Sequence, residues 1–123
     1  MTAPVRRTLP ENDATRSKME QALAVMRRDF CAGLDERICR IETARLAFAS
    51  ASDTALDTLK FEAHRICGVA GSLGLDEVST RARTLEEHAG WAEGRALSPK
   101  DRAELDRRIE DFLDLLEDHL TET

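Results

Sequence analysis

The stretch LDTLKFEAHRICGVAGSL (residues 56–73) decides the fold class. Its apolar residues follow one another at spacings of 3, 4, 3, 4 and 3 positions, which is typical of one face of an α-helix. These residues are Leu56, Leu59, Ala63, Ile66, Ala70 and Leu73. The segment SASD (residues 50–53) offers caps before the stretch, and Gly74 offers a stop after it. We therefore predict an amphipathic helix that packs against other helices through its apolar face.

The rest of the chain contains further segments with helical spacing, and no stretch alternates with the period of a strand. A capping box at SKME (residues 17–20) predicts the start of a segment that Gly33 either bends or divides in two. Further helices are predicted over residues 76–92 and after SPKD (residues 98–101), where a serine cap precedes a proline. Four amphipathic helices bury their apolar faces by packing together. We predict an all-α fold, an antiparallel four-helix bundle with an additional N-terminal helix or helical turn.

The first 14 residues differ in composition from the rest of the chain. They contain two of the three prolines and few apolar residues. Residues 1–14 are therefore predicted to be a flexible N-terminal tail. Residues 15–123 are predicted to form a single bundle domain, because a chain of this length can bury a core of its own.

Composition and charge argue against several classes of protein. The net charge is −6 with acids and bases interleaved, so the basic stripe of a nucleic-acid binder is missing. No apolar run approaches the ~20 residues of a membrane span, and the N-terminus lacks the apolar core of a secretory signal. Three cysteines at no recognised spacing favour neither a disulfide framework nor a zinc site. We expect a cytoplasmic protein without a metal, in which Cys31 and Cys39 are small core residues.

One histidine, His64, stands off the apolar face of the predicted helix. At about 100° per residue, the centre of that face lies roughly 125° away, so the imidazole is expected to be exposed. Gly68 and Gly71 follow on the same side, although a glycine inside a helix costs about 1 kcal/mol relative to alanine. Phe61 is also predicted to face solvent. An exposed imidazole above bare backbone and beside an apolar ring favours docking of another protein over a concave small-molecule pocket.

The segment AHRICGVAGSLG (residues 63–74) resembles the phosphorylation-site helix of histidine phosphotransfer (HPt) domains. That pattern has a histidine, commonly a lysine three residues later, a glycine at four, small residues, and another glycine at ten. The matching positions are His64, Gly68, Ala70 and Gly74. The order of helices and the pair Leu85 and Glu86 also look similar to the family, over about residues 17–120. Cys67 departs from the pattern, because it stands where the lysine is usual.

The resemblance implies phosphorelay chemistry without autonomous kinase activity. His64 is expected to accept a phosphoryl group from an aspartyl phosphate on a receiver domain and to pass it to another receiver. The partners would be receivers of a hybrid sensor histidine kinase or of a response regulator, with neither nucleic acid nor membrane involved. The expected surroundings of the phosphate are Lys60, Arg65 and Cys67. The expected receiver-docking residues are Phe61, Gly68 and Gly71. We expect a monomer without a cofactor, since Mg²⁺ would be held by the receiver.

Cys67 leaves a second hypothesis open. The cysteine removes a cation that would help to hold the phosphoryl oxygens, although Lys60 lies at a favourable angle to replace it. The alternative is a degenerate, non-phosphorylated helical module that binds a receiver or a sensor kinase. A metal site at His64 and Cys67 is disfavoured, because no second pair has a matching spacing.

Overall fold

The computed structural model describes residues 8–50 and 54–121, which form five α-helices and no strand. The helices are α1 (Thr8–Ala32), α2 (Leu34–Ala49), α3 (Thr54–Ser72), α4 (Asp76–Ala92) and α5 (Pro99–Thr121). Helices α2 to α5 close a ring of contacts, in which α2 meets α3, α3 meets α4, α4 meets α5, and α5 returns to α2. None of the described helices combines the length and apolarity needed to cross a membrane. The predicted four-helix bundle with an additional N-terminal helix is confirmed, and α1 is that helix.

Helices α3 and α4 form the most extensively packed pair in the bundle. Their facing surfaces are rich in alanine, and Ala63, Ala70, Ala82 and Ala89 are each at most 1% exposed. Small side chains let two helix axes approach closely, because interaxial distance depends on the residues at the contact. The apolar face predicted for residues 56–73 is buried in the core except at Leu56, which is half-buried. This close pair of helices carries the site described below.

The turn between α3 and α4 contains the predicted stop. Gly74 has a φ of 76°, in the left-handed region that glycine adopts without strain. The N–H of Leu75 donates to the carbonyl of Ala70 at 2.9 Å, closing the wide hydrogen bond of a Schellman cap. Arg27 Nε donates to the carbonyl of Leu73 at 2.9 Å. This hydrogen bond attaches α1 to the turn that ends the histidine-bearing helix.

The start of α1 differs from the sequence prediction. Residues 8–14, which the sequence places in the flexible tail, form the first turns of α1. The capping box predicted at residues 17–20 therefore lies inside the helix and does not begin it. Pro10 is compatible with this start, because the N–H groups of a first helical turn have no helical partner. The prediction for residues 1–7, and the caps predicted at residues 51–53, lie outside the described residues.

The other helix ends agree with the sequence more closely. Helix α4 has the predicted bounds. Ser98 caps α5, since the N–H of Asp101 donates to Ser98 Oγ at 3.0 Å and the N–H of Ser98 donates to Asp101 Oδ2 at 3.3 Å. Gly33 separates α1 from α2, so it divides the predicted segment into two helices and does not merely bend it. Cys31 is buried as expected, whereas Cys39 is exposed on α2 and the prediction of a core position is wrong for it.

A buried charge fixes α3 against α2. Glu62 is 4% exposed, and Arg40 Nε donates to its Oε2 at 3.1 Å. The same arginine donates from Nη1 to Glu36 at 2.6 Å. Because removal of Arg40 would leave the charge of Glu62 buried and uncompensated, the pair holds the two helices in one arrangement. Glu62 lies two residues before His64, so it points to the opposite side of α3.

An ion pair between α2 and α5 predicts a sensitivity to acid. Arg45 donates from Nε and Nη2 to both carboxylate oxygens of Asp106, at 2.8 and 2.9 Å. These hydrogen bonds lower the pKa of Asp106, while partial desolvation opposes them. A lowered pKa in the folded state stabilises the fold above the unfolded-state value of about 3.9, and that stability is lost as the pH falls. At pH 7 the Asp106→Asn variant should therefore be less stable than the wild type.

This difference should begin to shrink as the pH falls from about 5 to 3, because the unfolded state then takes up a proton at this carboxyl group before the folded state does. Urea unfolding of both proteins at pH 7 and pH 3 measures the effect. Glu117→Gln on the same helix is the matched control, because Glu117 is exposed and has no ion-pair partner among the described residues. A difference between wild type and Asp106→Asn that stays constant over this range would contradict the prediction.

Candidate functional site

His64 lies on the outer side of α3, as the sequence predicts, and 74% of its side chain is exposed. Its Nδ1 lies 2.9 Å from Oε2 of Glu86 on α4. An ionised carboxylate only accepts hydrogen bonds, so Nδ1 carries the proton and donates it to Glu86. In the neutral ring, Nε2 then holds a lone pair, and no described residue forms a hydrogen bond with it. The hydrogen bond at Nδ1 therefore orients the ring, and Nε2 is free to react.

Glu86 is the residue whose role the sequence did not reveal. The sequence pattern identifies it only as half of a Leu–Glu pair and not as a partner of the histidine. Its position next to the core residue Leu85 was the feature of the sequence that could have indicated a role. A residue that directly follows a core residue on a helix lies near the border of the buried face, where it can contact a neighbouring helix. That signal does not say which helix is the neighbour or which residue lies opposite.

Gly68 and Gly71 differ in their surroundings. A Cβ atom added at Gly68 would meet nothing within 4 Å, so the backbone beside His64 is open to solvent. A Cβ atom added at Gly71 would lie 3.2 Å from Oγ of Ser79 on α4, which is a tight contact. Gly68 thus leaves space on the outside of α3, whereas Gly71 also permits the close approach of α3 to α4.

An apolar strip runs beside the histidine on the side away from α4. Phe61 is 56% exposed, and Val69, which the sequence analysis did not single out, is 37% exposed. The guanidinium of Arg65 lies over the Phe61 ring, with Cζ 5.5 Å from the ring centroid. Arg65 is therefore directed along the outer face of α3 toward Phe61. Together these residues form a shallow surface with His64 at its edge.

A family model for the Hpt domain matches residues 25–121, which is most of the chain. The chain belongs to the Hpt domain family. Comparison with curated proteins found no match, and comparison with solved structures found none. The family consists of helical phosphocarriers that interact with receiver domains in phosphorelays and are not kinases. A phosphotransfer-related role in a phosphorelay follows for this chain.

In this Hpt domain the cationic candidate Lys60 is engaged by Glu93, the residue that follows α4. Its Nζ lies 2.7 Å from Oε1 of Glu93. The contact raises the pKa of Lys60 and lowers the pKa of Glu93. Asp57 also hydrogen-bonds to Glu93, which raises the pKa of Asp57. Lys60 lies on the side of α3 that the sequence predicts, but its charge is largely offset by its acidic partner.

Cys67, at the position where the family commonly has lysine, faces α4. The residue is half-buried, and its Sγ lies 3.5 Å from Oγ of Ser79. Ser79 Oγ also donates to the carbonyl of Cys67 at 3.0 Å. The thiol therefore belongs to the contact between the two helices, and it brings no positive charge to the surroundings of His64.

Proposed function

We propose that this Hpt domain is a phosphocarrier, which accepts a phosphoryl group on His64 Nε2 from one receiver and passes it to another. The observation that carries the proposal is the hydrogen bond from Nδ1 to Glu86 in an otherwise exposed imidazole. It selects the tautomer with a lone pair on Nε2, which is the form a nucleophile needs. The open backbone at Gly68 supports the approach of a large partner.

The proposed transfer balances without any further reactant. The Nε2 lone pair forms the N–P bond while the P–O bond to the receiver aspartate breaks, and the aspartate leaves as a carboxylate. The ring keeps its proton on Nδ1 and so becomes positively charged, and the Glu86 carboxylate beside it stabilises that charge. Transfer onward is the reverse of these steps on a second receiver.

The receiver is proposed to supply the charge stabilisation that this chain lacks. Phosphoryl transfer depends mainly on in-line positioning and on charge stabilisation. We propose that Mg²⁺ is bound by the receiver and that this chain presents the nucleophile on a surface formed by Phe61, Gly68 and Val69. A cytoplasmic location and a monomeric state stay predictions.

The experiment that tests the proposal is a two-step transfer. The chain is incubated with a radiolabelled phosphorylated receiver and then with a second, unlabelled receiver. We expect a label on the chain that is labile in acid and stable in alkali, followed by its appearance on the second receiver. The absence of label with every receiver tested would overturn the proposal.

Cys67 favours a second candidate, a module that binds receivers without carrying phosphate. The half-buried thiol replaces the usual cation, and Lys60 is already paired with Glu93. The same experiment separates the candidates if binding is measured alongside. A module of this kind would bind a receiver and would never acquire label.

Glu86→Gln tests the charge opposite His64. Glutamine still accepts the proton of Nδ1 through its carbonyl oxygen, so the tautomer is kept while the negative charge is lost. Because a hydrogen bond with a charged partner contributes more than a neutral one, we expect transfer to slow about fivefold. Glu86→Ala should be slower still, because it also removes the acceptor. Stopped-flow transfer from a phosphorylated receiver measures both rates.

Glu87→Gln is the matched control for this pair of variants. It makes the same change of charge at the next position of α4, where the side chain is exposed and has no partner among the described residues. Equal rates for Glu86→Gln and Glu87→Gln would show that the contact with His64 has no effect on transfer.

A further inference from the structure

The cations on α3 closest in sequence to His64 are both held in other contacts. Lys60 Nζ is paired with Glu93 at 2.7 Å. The Arg65 guanidinium lies over the ring of Phe61 at 5.5 Å. Since Cys67 is not a cation and is turned toward Ser79, α3 itself presents no unengaged positive charge to a group on His64. A phosphoryl group there would carry about two negative charges at neutral pH, as a phosphorylated side chain does.

Arg83 on α4 lies at the level of the site. Two contacts between α3 and α4 set the register, namely His64 with Glu86 at 2.9 Å and Cys67 with Ser79 at 3.0 Å. Arg83 is three residues before Glu86 and four after Ser79, about one helical turn from each. It is therefore opposite the part of α3 that runs from His64 toward Gly71.

The direction of Arg83 is also set by its helix. At about 100° per residue it is rotated roughly 60° from Glu86, to the side away from the buried residues Ala82 and Leu85. The burial pattern agrees, because Arg83 is exposed. Its side chain thus emerges on the same outer surface as the imidazole.

Arg83 is available for a ligand. It forms no hydrogen bond or ion pair within residues 13–50 and 54–121, whereas Arg81 on the same helix is paired with Glu77. The opposing stretch of α3 contains Gly68, where an added Cβ would meet nothing within 4 Å. Because Gly68 has no side chain, it does not obstruct an arginine that reaches from α4 to a group on His64.

We propose that Arg83 binds the phosphoryl group carried by His64, and so supplies from α4 the cation that Cys67 does not supply from α3. The inference rests on the proposed phosphocarrier function and adds a residue to its site. A guanidinium donates two parallel N–H bonds to phosphate oxygens, so an arginine is well suited to hold this group beside the ring. The bare backbone at Gly68 then has a second use, because it leaves room for the guanidinium as well as for the receiver.

The test uses phosphoramidate as the phosphoryl donor, so that receiver docking does not enter. Wild type, Arg83→Ala, Arg83→Lys and the control Arg81→Ala are compared by the rate of labelling and by the half-life of the phosphohistidine. Arg83→Ala should lower the labelling rate about fivefold to tenfold, as expected for loss of a charge-assisted hydrogen bond. The labelling rate of Arg83→Lys should lie between those of the wild type and Arg83→Ala, because lysine keeps the charge and loses the planar guanidinium. Arg81→Ala should match the wild type.

The outcomes separate this inference from the function on which it rests. If the wild type is labelled and Arg83→Ala behaves like Arg81→Ala, the role of Arg83 is rejected and the phosphocarrier stands. If the wild type takes no label from phosphoramidate or from any receiver, the phosphocarrier fails and the role of Arg83 fails with it. A change in the Arg83 side-chain Nε–H NMR signal on phosphorylation, without a change at Arg81, is the expected independent readout.

Discussion

His64→Gln is expected to abolish phosphoryl acceptance while leaving the bundle folded. The glutamine amide can still hydrogen-bond to Glu86, but its nitrogen lone pair is delocalised into the carbonyl and does not attack phosphorus. The fold should be unaffected, because most of the His64 side chain is exposed and its contact with Glu86 is at the surface. Label transferred from a phosphorylated receiver should disappear, and the helical circular dichroism signal and thermal midpoint should stay within error of the wild type.

His119→Gln is the control for this substitution, because it removes a histidine on α5, outside the site. It should be labelled like the wild type, with the same acid lability. Label on His64→Gln at the wild-type level would show that another residue accepts the phosphoryl group. Reduced binding of receivers by this variant, measured by calorimetry, would show that the histidine also contributes to docking.

Gly68→Gln is expected to make the chain more stable and, at the same time, to reduce transfer by about 100-fold. The stability should rise by somewhat less than about 1 kcal/mol, since glycine is a poor helix former and glutamine a good one. No clash within the chain opposes this gain, because the space around an added Cβ is open. Transfer should fall because a side chain there displaces the receiver from in-line geometry, where misplacement by about 1 Å can reduce the rate about 100-fold.

Gly68→Ala separates the two effects. It should give the same or a larger gain in stability, because alanine is the best helix former, with a much smaller loss of transfer. Thermal unfolding and stopped-flow transfer from a phosphorylated receiver measure the two quantities on the same samples. Phosphoramidate labelling of Gly68→Gln should fall no further than that of Arg83→Ala, because this donor is small and only the approach of Arg83 is obstructed. Receiver-dependent transfer at the wild-type rate in Gly68→Gln would show that the open backbone has no role in docking.

The periodic features of α3 and α4 were predictable because they depend on local spacing. The apolar face of residues 56–73, the stop at Gly74 and the exposure of His64 all follow from positions along one helix. The partners of these residues were not predictable in the same way. The contact of His64 with Glu86 and that of Lys60 with Glu93 depend on which helices are neighbours and on their axial register.

The start of α1 shows a different reason for failure. The capping box at residues 17–20 is a local signal, and the residues before it can continue the helix, so the helix extends back to Thr8. For Cys39 the prediction relied on the usual burial of cysteine, and its position on α2 overrides that preference. A residue type indicates burial on average, whereas helix geometry decides it in the individual case.

The pair formed by Glu62 and Arg40 has a consequence for the direction in which the histidine points. The alanines of the buried face, Ala63 and Ala70, contribute little to fixing the rotation of α3 about its own axis, because small side chains pack similarly at neighbouring angles. A buried carboxylate removes this rotational degeneracy, since turning the helix by one residue would separate it from the guanidinium that neutralises it. The outward orientation of His64 is thus fixed by Glu62, a charged residue on the opposite side of α3 that does not contact the phosphoryl group.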